Sequence, residues 1–378
     1  MGDSHKMLVT TNIKVFDIYG NIKNNFNISP SDTHDWMIGL KTDDVYYEQT
    51  MRSFNINFPY VFFRILYSGN NDTAWTVNGS KVTGNVTLTA PVGNAGNIDG
   101  ICLGTGSLTS SFYIYNLDYE IPNTILTRGG TTWVKPYVSG STYEFALYRP
   151  FTATQNFTIT EMKLCGNTTN RYMWTYEKID VSGSAINISL PSGSTATAWL
   201  RFNIAEGGPL TKNYLYHFYS ILRNTTVTLT STTSASSEVN FYTYANSYIN
   251  NGSTEIYGIV VGTDTSSFSI EDYKLYDRIP NGTGSGQLNY LSIGFLNSYT
   301  NALPAPDSHS FSETIYRQFI NLSGGPVNIG ECAIYLRGSS TETEDNKKIM
   351  IARTALPEYI ILQHREAIQI SYNLEFTA

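Results

Sequence analysis

The chain has 378 residues, of which 41% are hydrophobic, 13% aromatic and only 15% charged, and it carries a net charge of -7. That length exceeds what one core comfortably fills and fits two domains of roughly 150 to 200 residues each. The acidic balance argues against nucleic acid as the main partner, because phosphate contacts need a basic face. No run of about 18 apolar residues is present to span a membrane as a helix.

The opening MGDSHKMLVTTNIKV lacks the apolar stretch of a secretory signal, so that export route is not expected, and Met7 is read as the natural start behind a short leader. Residues 8 to 22, LVTTNIKVFDIYGNI, alternate apolar and polar before a Tyr-Gly-Asn turn, the pattern of a β-hairpin arm. The arm region, about residues 1 to 50, is assigned to the first domain, either pairing within it or adding a strand to a neighbouring subunit. Phe54, Phe58, Phe62, Ile65 and Leu66 then recur at helical spacing, with Arg64 among them. Short runs rich in Val, Ile, Thr, Tyr and Phe follow, separated by Gly, Asn and Ser turns, and predict antiparallel strands. NIAEGGPLTKN, residues 203 to 213, reads as a short stiff joint between domains 1–205 and 206–378. A second amphipathic helix is expected over 211 to 222, followed by another series of strands. STTSASS (231 to 237) and TETEDNKK (341 to 348) read as exposed loops.

The two halves share blocks in the same order. YNLDYEIPN at 115 to 123 returns as YKLYDRIPN at 273 to 281, and GICLGTGSLTSSF at 100 to 112 as GIVVGTDTSSF at 258 to 268. FPYVFFRIL pairs with YLYHFYSIL, LYRPF with IYRQF, and Glu161 with Glu331, at offsets of 156, 168 and 170. An internal duplication of a whole domain is therefore expected, with the loops absorbing the drift in offset. In Tyr-x-Leu-x-x-x-Ile-Pro-Asn, Tyr and Leu should face the core from an extended segment, and Ile-Pro-Asn should stop the strand. Gly104 and Gly262 are read as turn glycines. The fold class expected is all-β, with one short amphipathic helix per repeat and tandem antiparallel β-sandwich or jelly-roll domains.

Chemistry-bearing patterns are weak. His5, His34, His217, His309 and His364 have no metal-pair spacing, and no metal or cofactor is expected. Asp307, Ser308 and His309 are adjacent in sequence, whereas triad members meet in space, so a polar loop is the reading. NGTGSG at 281 to 286 lacks the Lys-Ser/Thr and following helix of a phosphate loop and reads as a turn. Glu161 and Glu331 are the only natural pair for carboxylate chemistry, yet a Glu opening a strand in both halves more simply bonds a backbone amide or the nearby Tyr148–Arg149 and Tyr316–Arg317. Cys102, Cys165 and Cys332 are odd in number, and Val260 and Met162 stand where two of them would recur, so buried free thiols are expected. No catalytic residue is assigned. Sequons for N-glycosylation occur at Asn27, Asn71, Asn78, Asn85, Asn156, Asn167, Asn187, Asn224, Asn251, Asn281 and Asn321.

The order of GIVVGTDTSSFSIEDYKLYDRIPNGTGSGQLNY, IYRQFINLSGGPVNIGECAIYL, IMIARTAL and IQISYNLEF resembles β-sandwich structural proteins of archaeal viruses and tailed phages. In duplicated form it is most similar to turret or vertex proteins of the Sulfolobus turreted icosahedral virus type. The resemblance implies a non-enzymatic virion protein, assembled in the host cytoplasm into an extracellular particle. Its partners would be copies of itself, capsid proteins and host surface glycans, with no membrane span. The first half departs from the pattern: Cys102 and Leu103 replace the Val-Val pair, and LYRPF carries a Pro. The low charge also suits a hot, acidic exterior, where carboxylates are protonated and ion pairs fail. A glycan-binding attachment module and, behind it, a glycan-cleaving enzyme are the alternatives from other classes.

Overall fold

The computed structural model describes residues 7–28, 36–50, 73–75, 81–83, 100–106, 120–140, 142–166, 172–181, 184–205, 208–223, 225, 227–234, 236–239, 257–296, 310–337 and 348–377. The fold is an all-β antiparallel sandwich. One large sheet runs in the order Tyr46–Thr50, Trp36–Thr42, Thr195–Ala205, Thr142–Ala153 and Leu126–Arg128, with Thr132–Ser139 also paired to Thr142–Ala153. The other runs Ile22–Ile28, Met7–Phe16, Ala367–Thr377, Ser310–Ile320 and Asn289–Leu296. Three-stranded sheets pack against them. Tyr172–Lys178, Glu161–Gly166 and Gly100–Gly104 form one, and Gly258–Gly262, Val327–Arg337 and Lys348–Leu362 the other.

Alternation decides which face is inside. In Ser310–Ile320, residues 313, 315, 317 and 319 are buried while 312, 314, 316 and 318 are half-buried, the period of two that a one-sided strand requires. Gly100–Gly104 and Gly258–Gly262 are instead buried along their whole length. Buried arginines join the layers at matching places. Arg149 donates from Nη1 to the Ile101 carbonyl at 3.1 Å, and Arg317 donates from Nη1 to the Ile259 carbonyl at 3.0 Å. Gly100 and Gly258 both adopt positive φ, +84° and +82°, which gives each a backbone reason to be glycine. Gly104 and Gly262 are not left-handed. What a side chain at Gly262 would meet is the Glu331 carboxylate and the Asp277 carbonyl, so close approach keeps it small, a correction to its reading as a turn residue.

The Ile-Pro-Asn motif holds a loop rather than ending a strand. Ile121 N donates to the Leu103 carbonyl at 3.1 Å and Ile279 N to the Val261 carbonyl at 2.9 Å. Asn123 Oδ1 accepts from Arg128 N, and Asn281 Oδ1 from Tyr290 N. Leu275 is buried as expected, whereas Tyr273 is only half-buried; Ile279 is buried too, but residues 273–281 form no strand.

The N-terminal arm corrects the sequence reading. Met7–Phe16 pairs antiparallel with Ala367–Thr377, Met7 opposite Phe376 and Phe16 opposite Ala367, so the arm lies in the sheet of the second half. The hairpin that serves the first half is Trp36–Thr50, paired with Thr195–Ala205 through Leu40 opposite Ala198. The one helix among the described residues, Lys212–Arg223, matches expectation; the helix expected around 54–66 lies outside the described residues. Phe218 packs edge-on to Phe145 and Phe202 with ring centroids 5.8 and 5.6 Å away, and Tyr219 lies 5.9 Å from Trp133. The helix that opens the second half therefore closes the core of the first, and burial of each such ring is worth about 2–3 kcal/mol. The joint before it is pinned, since Arg353 N donates to the Pro209 carbonyl and Thr211 N to the Ile351 carbonyl. Buried apolar residues of both halves form one continuous cluster.

Candidate functional site

The largest buried ionic cluster among the described residues centres on Arg353, in the run IMIARTAL. Its side chain is fully buried and spends its whole fork: Nε donates to Glu331 at 2.7 Å, Nη1 to Asp272 at 2.8 Å and Nη2 to Asp264 at 3.2 Å. It also reaches the carbonyls of Ser266 and Ser267 and lies 5.3 Å from the Tyr276 ring. Glu331 Oε1 accepts from Tyr276 N at 3.0 Å. Burial pushes the Glu331 carboxyl up, and the guanidinium pulls back against that rise. Asp264 is held below the usual carboxylate range, chiefly by its bond from the Ser266 hydroxyl. The cluster straps the loop 263–278 across the three-stranded sheet, and every acceptor in it is a protein group.

The matching place in the first half uses different chemistry. Glu161 is fully buried and accepts from the Tyr176 hydroxyl at 3.0 Å. Lys163, also fully buried, lies 2.5 Å from Glu120, whose second oxygen accepts from Arg128 Nη2 at 3.0 Å. Glu161 and Glu331 thus lie in separate three-stranded sheets, each bound to protein donors; Glu331 has the expected backbone amide, but Arg353 and Tyr176 replace the expected Tyr-Arg partners. The three cysteines are buried thiols in no disulfide, as their exchange with apolar residues implied. Cys332 is pushed up to about 12 by burial, whereas a hydrogen bond with Cys165 draws Cys102 below the usual thiol range.

His217 is buried in the helix and His364 Nδ1 accepts from Gly324 N, while His5, His34, His309 and Asp307 lie outside the described residues. Residues 281–286 form a turn in which Gly282 N bonds the Leu288 carbonyl and the strand Asn289–Leu296 follows. The stretch 231–237, expected to be an exposed loop, is only in part a loop: Ser234 is exposed in the turn and Ser231 fully buried, while Ser236 and Ser237 belong to the strand Ser236–Val239, paired with Val227–Thr230. Among the sequons, Asn27, Asn156 and Asn187 are exposed and Asn281 is half-buried. Asn321 is fully buried, donating to the carbonyls of Gly325 and Leu362 at 2.8 and 2.7 Å, so in this fold it is a structural amide and not a glycan acceptor. Asn71, Asn78, Asn85, Asn167, Asn224 and Asn251 lie outside the described residues.

A groove of about 810 Å³ opens where the N-terminal hairpin, the joint and residues 353–357 meet. Thr11, Asn27, Thr265, Ser267 and Thr354 supply polar groups to its wall, and Phe268 an aromatic ring. Its one charged wall residue, Arg353, is already spent on the cluster above. Sequence reasoning missed Arg353 and this groove. An Arg inside an apolar run was the available signal for the first; the second needs the hairpin's unexpected placement. No family model matches the chain, and neither curated proteins nor solved structures yield a match.

Proposed function

We propose that the chain is a tandem duplication serving as a structural subunit of a virion, in a vertex turret, spike or appendage, and that it acts by assembling with copies of itself and with capsid proteins. The observation that carries this reading is where the described apolar side chains reach solvent. Ile18, Tyr19 and Ile22 stand at the tip of one hairpin, Val45 and Tyr46 at the tip of the other, and Tyr137 and Val138 beside a third turn, while Tyr276 and Leu322 are exposed in loops and Tyr359 and Ile361 along the strand Lys348–Leu362. Apolar groups on turns, where Ser, Asn or Asp would serve the backbone equally, favour contacts with another protein. The buried ionic clusters point the same way, since they fasten loops to sheets.

A direct test is the assembly state of the purified chain, followed by light scattering and electron microscopy. Oligomers that dissociate in the Tyr19→Ser/Ile22→Ser variant, together with density for this chain at a vertex or appendage of native particles, support the reading. A monomer at all concentrations and absence from particles would overturn it. A second reading, attachment to host glycans, is favoured by the hydroxyl-lined groove with its single ring at Phe268, because stacking and neutral hydrogen bonds suit sugars.

A further inference from the structure

A second cavity, of about 350 Å³, lies between the strand Thr132–Ser139 and the C-terminal end of the helix Lys212–Arg223. Its geometry begins with an irregularity in the sheet. Opposite Glu144–Ala146 the register slips, so that Lys135 and Pro136 occupy a bulge between Val134 and Tyr137. A bulge re-aims the residues it contains, and proline is tolerated there because no ladder donor is needed. The Tyr216 hydroxyl donates to the Pro136 carbonyl at 3.0 Å and ties the bulge to the helix. Burial holds that phenol up, so it remains a neutral donor.

Two cations line the resulting pocket, Lys135 from the bulge and Arg223 from the last helical turn. Arg223 is half-buried, and one nitrogen of its fork donates to the Tyr219 hydroxyl at 2.8 Å. No carboxylate pairs with either cation among the described residues, and no described lining residue is acidic. That contrasts with Arg128, Lys163, Arg201, Lys212 and Arg353, each matched to an acid in a chain of net charge -7. Thr225 and Thr228 also line the cavity. The partial negative charge of the helix C-terminus works against an anion, but the Ser220 carbonyl is already taken by Thr225 N. A half-buried guanidinium, an exposed ammonium and two threonines around a small cavity form a recognition set for an oxyanion.

We propose that this pocket binds a small ligand of monosaccharide size carrying one oxyanion, a carboxylate, sulfate or phosphate, with Arg223 holding the charged group through its fork and Lys135 acting as a second point charge.

The test titrates the intact chain with glucuronic acid, glucose 6-phosphate, inorganic phosphate and glucose, read by ligand-observed NMR and calorimetry. The proposal expects the two charged sugars to bind, inorganic phosphate to compete with them, and glucose to be at least about tenfold weaker, the discrimination a charge-assisted contact provides. Arg223→Gln should weaken the charged sugars about tenfold or more and Lys135→Gln about threefold, with affinity falling as salt is raised. Lys135 is exposed, so its variant keeps the test valid should Arg223→Gln disturb Tyr219. Glucose binding as well as glucuronate, affinities unchanged in both variants, or no binding up to about 50 mM would each overturn the proposal.

Discussion

Glu313 offers the sharpest quantitative test of the interior. It lies on the inward face of Ser310–Ile320 with Ile315, Arg317 and Phe319, is only 4% exposed, and stands opposite Leu374, which in turn stands opposite Val9. Its Oε2 has no hydrogen-bond partner. Arg317, four residues on along the same face, donates from Nε and Nη1 to the carbonyls of Leu291, Tyr257 and Ile259. Burial alone pushes the carboxyl from 4.5 up to about 8, so the folded protein holds this proton at neutral pH. Because the folded pKa is the higher, the group's contribution is whole below pH 4.5 and is lost as pH rises to about 8. At about 1.4 kcal/mol per pH unit the full loss is about 5 kcal/mol, and relaxation around the ionised group brings it to about 2–5 kcal/mol. Glu313→Gln keeps the size and removes the titration. Urea unfolding followed by intrinsic fluorescence should give equal stabilities within about 1 kcal/mol at pH 4 to 5 and a variant more stable by about 2–5 kcal/mol at pH 9. Stability curves that run parallel from pH 5 to 9 would refute the reasoning.

Three further outcomes follow from the buried polar framework. Arg353→Met leaves Glu331 and Asp272 buried without their cation and should cost about 3–5 kcal/mol in urea unfolding, whereas loss of an exposed pair such as Lys212–Glu271 should cost under about 1 kcal/mol. Gly100→Ala and Gly258→Ala each force a side chain into the left-handed region and should cost about 1–2 kcal/mol apiece, additively in the double variant. Expressed in a glycosylating host, the folded fraction should carry glycan at Asn27, Asn156 or Asn187 and none at Asn321; peptide mass spectrometry finding Asn321 modified in soluble protein would contradict its buried amide geometry.

What could be read from sequence was whatever has local periodicity. The helix at 212–223 came from the recurrence of an apolar helical spacing, and the strands around 142–153 and 310–320 from β-prone composition and recurrence. The thiols were legible because Cys102 exchanges with Val260, which is a statement about packing. Partners distant in sequence were not legible. Arg353 meets Asp264, 89 positions away, and the same position in the first half is Tyr176, which defeats any search for a repeated charge. Asn321 looks like any other sequon, since nothing in Asn-Leu-Ser says that the amide is turned inward. The Lys135–Arg223 pocket depends on a bulge and on a helix packing across halves, neither of which has a sequence pattern.

The misplaced hairpin has the largest consequence. Among the described residues, no strand of the second half, counted from 206, takes the place beside Ala367–Thr377 that Trp36–Thr50 takes beside Thr195–Ala205, and residues 7–28 fill it. A fragment 206–378 would therefore expose the backbone edge of Ala367–Thr377 and lose the burial of Val9, Ile13 and Val15. At about 1.5–3 kcal/mol per side chain that loss is about 5–9 kcal/mol, comparable with the whole stability of a domain. The same fragment would bare Phe218 and Tyr219, whose aromatic partners are Phe145 and Trp133. It should aggregate or remain unfolded, because an unpaired apolar edge recruits other chains. A permutant carrying residues 7–28 after a short linker at its C-terminus regains the hairpin but not Phe145, so it should recover solubility and only part of the stability. In the intact chain these dependencies predict a single calorimetric transition. Fragment 206–378 unfolding cooperatively as a monomer, with stability near that of the full chain, would show that the hairpin and the helix contact contribute little and that the two halves are independent.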